Sequence, residues 1–468
     1  MAVFVRSNKN KLALFGGTPI NKSKDLKSEP FVSKDELKIV KKLFKEKRFS
    51  KFVGSPIDGT YEDLNKPSKD LFRKGSKASF LGGEKVREFE GRWSNLIDSK
   101  YSISVNSATS GITTAILSLN LEPGSIILTT PFSFTGTVGA ILAANCVPKF
   151  SDIDKDTFCL NPENLKKDIE NVSCIIPVHW CGNAGNLKEI IEIAKEANIP
   201  VIEDAAQAPM TIYENKYLGT FGDIGVFSFN EPKNFMTGEG GIIVTNNENY
   251  AVKSRLIRNH GEAILNNENS IEELVNIIGF NFRLTEIQAA IGCEQLKKVK
   301  KLNLIRENNY KYLVKGLNEQ SSEFLIPQKI THTDSYFAYT AGFRWDAEKS
   351  MISRGVLAKA LMSEGIPVFT AYGRMLSEHP TFQNKIGFGK EHYPWNLTEK
   401  GKNLNYDNSL FPIAEKLIKE EFIGFLCLGY PNGFKEMDYI IEAFKKIMQN
   451  LNELRDCNIE DISINIGR

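Results

Sequence analysis

Apolar and polar positions follow two different periods along the middle of the chain. Short β-branched runs stand at 102–105, 126–129, 174–179, 200–203, 226–229 and 242–245. Between many of them lie stretches with apolar residues three and four apart, as at 107–120, 135–145 and 187–198. Strand followed by helix followed by strand is the signature of a mainly parallel sheet covered by helices on both faces. The alternation fills residues 76–325 and closes on a further helical pattern at 285–301.

The flanks differ. Residues 1–75 are polar and basic with no sustained period. Within them, Ser33 and Glu36 precede Leu37, Val40 and Leu43, which is a capping box opening a helix. The stretch 55–68 is rich in Pro, Gly, Asp and Asn and reads as a loop. From 326 onward aromatic residues, turns and short strands dominate, with strand patterns at 337–343 and 423–428 and helical ones at 351–364 and 434–450. This predicts a smaller α+β domain at 326–468, beside a large domain at 76–325 and an N-terminal arm at 1–75 that packs on the small domain. Residues 377–409 form a long polar and aromatic loop, and a loop of that length in a compact domain is more often functional than idle.

Length agrees with this division. The chain has 468 residues, enough for about three units or one large α/β unit with appendages. Apolar residues make up 41% and charged residues 25%, the balance of a globular protein. Lys+Arg number 59 and Asp+Glu 57, a net charge of +2, and no DNA-binding motif is present. That gives no support to an electrostatic partner such as nucleic acid, although a net charge is only a sum and leaves a local basic patch open. No apolar run approaches the 18 residues of a membrane span, and 12–15 is too short for a secretion signal. The seven cysteines lie far apart, and the five histidines include no HExxH. We therefore expect reduced thiols, no metal and a cytoplasmic location.

Three segments carry candidate chemistry. In 226–245, VFSFNEPKNFMTGEGGIIVT, a strand ends at Ser228, Lys233 follows in a turn, and a glycine cluster leads to the next strand. A lysine held there can form a Schiff base with a carbonyl cofactor if its amine is neutral. Taken alone, a solvated turn lysine is the commoner occupant of such a position. In VIEDAAQAPM, Asp204 stands at the carboxyl edge of a strand, where parallel sheets place ligand groups. It would pair with a protonated pyridine nitrogen, and an N-cap aspartate is an equally common reading. In SVNSATSGITTAIL, the N–H groups of Ala108 and Thr109 open a helix and would bind a phosphate, although simple Ser/Thr capping gives the same pattern.

Together the segments resemble the pyridoxal-phosphate sugar aminotransferases of the DegT/StrS family, in the aspartate-aminotransferase superfamily. The matching words are LALFGGTPI, NSATSGI, IPVHWCGNAGNL, VIEDAAQA, GDIGVFSFNEPKNFMTGEGGIIVTN and GFNFRLTEIQAAIGCEQL, spread over about residues 12–300 in order. GIPV at 365–368 fits the family's small domain. The resemblance implies a seven-stranded, mainly parallel sheet (fold type I), a pyridoxal 5'-phosphate cofactor and a homodimer with shared active sites. It implies Lys233 as Schiff-base lysine and proton carrier, and Asp204 on the pyridine nitrogen. Gln207 would reach the phenolic oxygen, and Phe134 would stack on the ring. Ala108, Thr109 and Ser228 would hold the phosphate, with Asn281 arriving from the neighbouring subunit. His179 would line the pocket, or stand as a structural histidine.

One branch of the family carries histidine at the lysine position and dehydrates sugars; Lys233 favours transamination here over that branch, and the absence of a DNA-binding motif at near-zero net charge argues against a cofactor-binding regulator. The implied reaction takes an amino group from glutamate or glutamine to a keto sugar, nucleotide-linked, or to a related cyclic ketone, for glycan or secondary-metabolite synthesis. GIPVFTAYG resembles the branch acting on cyclitol and aminohydroxybenzoate-type substrates. The stretches 55–68 and 377–409 exceed the family's usual loops. Tyr372, Arg374 and His379 are candidates for substrate recognition.

Overall fold

A computed structural model describes residues 10–22, 26–27, 30–52, 63–72, 80–261, 278–321, 323–331 and 333–455. Most of the 55–68 loop, His332 and Cys457 lie outside the described residues.

Helix α1 (Lys34–Glu46) opens on the expected capping box: Glu36 accepts the Ser33 N–H at 2.9 Å and its hydroxyl at 2.6 Å. Helix α2 (Glu84–Ile97) turns Val86, Phe89, Trp93 and Ile97 inward at helical spacing. There follow β1 (Tyr101–Val105), α3 (Ala108–Ser118), β2 (Ile126–Thr129), α4 (Thr135–Ala143), β3 (Val147–Phe150), β4 (Val172–Ile175), α5 (Leu187–Glu196), β5 (Ile202–Asp204), β6 (Ile224–Ser228), β7 (Gly241–Thr245) and α6 (Glu248–Arg258). The strands pair as a four-stranded sheet, β1-β7-β6-β5, and a three-stranded sheet, β3-β2-β4. Single parallel bridges, Ile175 to Val201 and Val178 to Asp204, join the two.

Strand β7 runs antiparallel to both β6 and β1. It follows β6 through the turn at 229–240, with no crossover helix, and only an antiparallel return is available to so short a connection. Elsewhere β2 pairs in parallel with β3 and β4, as β5 does with β6. Alternate residues of these strands enter opposite cores. Phe227, Ile242 and Val244 meet Phe89 and Trp93 of α2, whereas Val226 and Ile243 meet Ile112 and Ile116 of α3. Helices thus cover both faces, as the sequence predicts.

After α7 (Glu286–Leu296), the long α8 (Val299–Ser321) leads to an antiparallel sheet of β8 (Leu325–Pro327), β9 (Ala341–Trp345) and β10 (Phe422–Phe425). Helices α9 (Arg354–Ser363) and α10 (Phe434–Gln449) share its core. The N-terminal residues serve two bodies. Leu12, fully buried, joins this second core beside Leu361 and Phe444. Buried Glu364 accepts the N–H groups of Ala13 (2.8 Å) and Ile20 (3.1 Å) and the Lys446 ammonium (2.9 Å). Helix α1 instead lies on α7, where Glu36 takes hydrogen bonds from Gln295 and Lys298, each at 2.8 Å. Gln295 and Lys298 thus complete, with Ser33, the hydrogen bonds of α1's buried carboxylate.

Residues 377–409 coil into short helical turns that cover the edge strand β3. Tyr406 donates to the Pro148 carbonyl at 2.6 Å, and Trp395 donates to Tyr406 at 3.0 Å. Phe382, Trp395, Tyr406 and Phe411 are buried with Phe150. The length of this segment therefore protects a sheet edge.

Candidate active site

The carboxyl ends of β5 and β6, the start of α3 and the start of α4 converge on a cavity of about 630 Å³. Asp204 is the last residue of β5. Its backbone is pinned on both sides, donating to the Pro177 carbonyl at 3.0 Å and accepting the His179 N–H at 3.1 Å. Its carboxylate is 5% exposed and accepts Thr137 Oγ1 at 2.8 Å and the Ala206 N–H at 3.2 Å. Burial pushes this carboxyl above its ordinary value, and Thr137, Ala206, Lys233 and His179 only partly offset the push. A cation facing it would supply the missing compensation.

Lys233 follows β6 in a turn closed by its own N–H to the Asn230 carbonyl (2.9 Å). Its half-buried ammonium lies 4.3 Å from the centre of the Tyr339 ring. Ser228 ends β6 on the same rim. At the start of α3, Ser107 caps the helix by accepting the Ser110 N–H at 3.1 Å. The earlier N–H groups, of Ala108 and Thr109, border the cavity. Gly241 keeps that end open: a Cβ there would stand 2.8 Å from the Ala108 nitrogen.

Gln207 also borders the cavity, its Oε1 accepting the Cys181 N–H at 2.7 Å, which leaves its amide nitrogen as the donor. Phe134 is 50% exposed, its ring 5.3 Å from that of Tyr372. The structure therefore gathers Lys233, Asp204, Ala108, Thr109, Phe134, Gln207 and Ser228 around one space.

Two expected residues stand elsewhere. His179 is buried beneath the floor, its Nε2 2.8 Å from Glu203 Oε2, and does not border the cavity. Strand alternation explains this, because Glu203 points away from the face that Asp204 presents and draws the imidazole with it. Asn281 is exposed beside Asn259, away from its own chain's cavity. Of the recognition candidates, Tyr372 borders the cavity; Arg374 is exposed and His379 half-buried, both off the lining. Burial, then Arg374, lowers the His379 imidazole, with Glu378 opposing.

The sequence reading missed Thr137, Tyr339 and Phe369, which line the cavity, and Glu203 below it. Thr137 had a usable signal: it stands one helical turn after Phe134 and so shares its face. Glu203 is held by the N–H groups of Gly219, Phe221 and Gly222 at 2.6–2.7 Å. Burial raises its carboxyl, but these bonds and His179 more than offset it, leaving a net lowering.

Known proteins share this framework. A putative L-glutamine:3-amino-2,3-dideoxy-scyllo-inosose aminotransferase of Streptoalloteichus tenebrarius is 25% identical over 456 residues, covering 95% of this chain and 100% of that protein. The crystal structure of DesI with its TDP-sugar product superposes with a TM-score of 0.74 at 19% identity, covering 95% of this chain and 97% of that one. A GDP-4-keto-6-deoxymannose-3-dehydratase holding a trapped PLP-glutamate geminal diamine gives 0.67 at 24% identity, covering 89% and 98%. A model of the DegT/DnrJ/EryC1/StrS aminotransferase family matches residues 68–405. Spanning well over half of its length, that match makes the chain a member of the DegT/DnrJ/EryC1/StrS aminotransferase family.

Proposed function

We propose that this aminotransferase works with pyridoxal 5'-phosphate in the 630 Å³ cavity, moving an amino group from glutamate or glutamine to a keto sugar, nucleotide-linked, or a related cyclic ketone. The observation that carries the reading is the convergence of three unlike groups on one space: the Lys233 amine, the buried Asp204 carboxylate and the open N–H end of α3.

The residues fit the cofactor. Asp204, raised by burial, is relieved by a protonated ring nitrogen. Ala108 and Thr109, kept open by Gly241, suit a phosphate, with Ser228 beside them. Gln207 would hold the phenolic oxygen, Phe134 would cover the ring, and Lys233 would hold the aldehyde carbon. When bound, the cofactor supplies an electron sink for the carbon that carries the nitrogen. Lys233 Nζ would take the proton from that carbon of the donor and hold it, and in the acceptor direction would deliver a proton to the corresponding carbon of the acceptor. Thr137 fixes the Asp204 carboxylate by donating to it at 2.8 Å. Phe134, Phe369 and Tyr372 form an aromatic wall on the same cavity.

The finer expectations belong here as well. The two sheets, read through their bridges, make one seven-stranded sheet, with the large domain at 76–325 and the small one at 326–468. Two copies form a cytoplasmic homodimer in which each lends Asn281 to the other's cavity; its exposure on its own chain supports this.

Purified protein should absorb visible light, lose the band on borohydride treatment and retain the label on Lys233. A panel of amino donors and cyclic ketones, read by mass spectrometry, should then yield an aminated product. A colourless protein that takes up no cofactor would overturn the reading.

A further inference from the structure

The turn that carries Lys233 is fastened to a strip of the second body. Asn234, the next residue, is buried, and its Nδ2 donates to the Phe337 carbonyl at 2.7 Å. Tyr339 stands on that same strip, just ahead of β9, and its N–H donates to the Cys181 carbonyl at 3.0 Å. The Tyr336 hydroxyl donates to the same carbonyl at 3.0 Å. Gly182 lets the two backbones close up: its φ is +93°, and a Cβ there would stand 3.3 Å from the Phe337 oxygen. These bonds hold Tyr339 in the cavity wall with its ring centre 4.3 Å from Lys233 Nζ.

An aromatic face carries negative charge density. It attracts an ammonium within about 6 Å and does nothing comparable for a neutral amine. The attraction grows where water is thin, and here the ring is 8% exposed and the amine half-buried. Lys233 works in both states: it is neutral when it takes a proton and cationic once it holds one. The ring therefore favours the amine after proton uptake and keeps the loaded ammonium at the wall.

We propose that Tyr339 is a positioning residue for Lys233, its ring face holding the ammonium that forms when the amine takes the donor's proton and keeping it beside the reacting carbon. The inference rests on the aminotransferase reading above and adds to it the place where the working amine stands between steps. The titratable or charged groups that face this amine from other elements are Asp204 on β5, Cys181 in the turn at 180–182, and Glu239 and Tyr372 on the rim; Arg306 of α8 acts on Tyr339. A substitution at 339 leaves all of them in place. Tyr339→Phe removes only the hydroxyl that Arg306 acts on and keeps the face.

The first test uses the full-length protein freed of cofactor. Trace labelling with acetic anhydride, which acylates only neutral amines, is followed on the Lys233 peptide by mass spectrometry from pH 7 to 11, roughly spanning the ordinary lysine range. Tyr339→Leu should lower the labelling midpoint by about one pH unit, so that below it the neutral fraction rises about tenfold. A midpoint, unlike a rate at one pH, is insensitive to easier access in the variant. Tyr339→Phe should restore the wild-type midpoint. Phenylalanines bearing one, two or three ring fluorines at 339 keep the shape and drain the face of charge, so the midpoint should fall with each fluorine toward that of Tyr339→Leu. This series decides alone if Tyr339→Leu does not fold. In the holoenzyme, Tyr339→Leu should slow the donor half-reaction up to about tenfold with the donor KM within about twofold, because proton uptake and not binding is affected.

An unshifted midpoint in Tyr339→Leu, a Tyr339→Phe that matches Tyr339→Leu, a fluorine series without trend, or a defect confined to the donor KM would overturn the proposal. The cofactor reading fails separately, on the visible band, whereas the labelling midpoint is measured without cofactor.

Discussion

Replacing Glu203 by glutamine removes one charge and keeps the shape, at a point where four donors meet one carboxylate. Glu203 has no exposed surface. It accepts N–H groups from Gly219 at 2.7 Å, Phe221 at 2.6 Å and Gly222 at 2.7 Å, and it faces His179 Nε2 at 2.8 Å. Glutamine offers one acceptor oxygen, so its NH₂ must confront donors on the other side. Hydrogen bonds to a buried charge are worth about 1.5–3 kcal/mol each, and breaking one member out of a buried pair costs roughly 3–5 kcal/mol. We expect Glu203→Gln to lose about 3–5 kcal/mol at pH 7. At roughly 2–4 °C per kcal/mol, the melting point should fall by about 6–20 °C.

The pH dependence has a definite sign. The Glu203 carboxyl sits below its ordinary value of 4.5 in the folded chain. Its contribution is therefore fully present above 4.5 and is lost as pH falls through the lowered folded value. The deficit of the variant should be largest at neutral pH and shrink in acid. Urea titrations followed by circular dichroism at pH 7 and near pH 4 measure both. A deficit under about 1 kcal/mol at pH 7, or one that grows on acidification, would refute the reasoning.

The other expected outcomes concern the cavity and the arm. Lys233→Ala should abolish turnover while equilibrium dialysis still detects bound cofactor. Asp204→Asn should slow the donor half-reaction by about 10³-fold, since a unit charge pair at contact in a partly screened site is worth about 4 kcal/mol; stopped-flow absorbance reads this directly. Gly241→Ala, whose Cβ would meet the Ala108 nitrogen at 2.8 Å, should weaken cofactor affinity about tenfold or more in a fluorescence titration. Glu364→Ala strands the Lys446 ammonium and two N–H groups, so limited proteolysis within 10–22 should accelerate and stability should fall by about 3–5 kcal/mol.

Much of the frame was legible because its signals are local. The strands at 102–105, 126–129 and 242–245 and the helices at 107–120 and 135–145 are continuous apolar or periodic runs, and the structure places them within a residue or two of those limits. Strand β3 escaped because Pro148 and Lys149 break its apolar run, as an edge strand tolerates and a central one does not. The antiparallel course of β7 follows from its connection to β6 without a crossover helix, a signal that a reading of each strand's own residues passes over. In the site, Lys233 and Asp204 were readable from their positions at strand ends. Tyr339 was not, since it comes from the second body and meets Lys233 only through tertiary packing. His179 was misplaced for a related reason: its partner, Glu203, is defined by a turn at 219–222 that no pattern ties to it.

The burial of Leu12 against Phe444 and Ile447 has a bearing on synthesis. More than four hundred residues are translated between the first of these side chains and the last. At about 5–20 residues per second, Leu12 waits on the order of 20–90 s for a surface to cover it. During that interval β1 through β7 can already condense, so a nascent chain would carry a finished sheet and a tethered, unsheltered apolar segment, a natural client for holding factors near the ribosome exit.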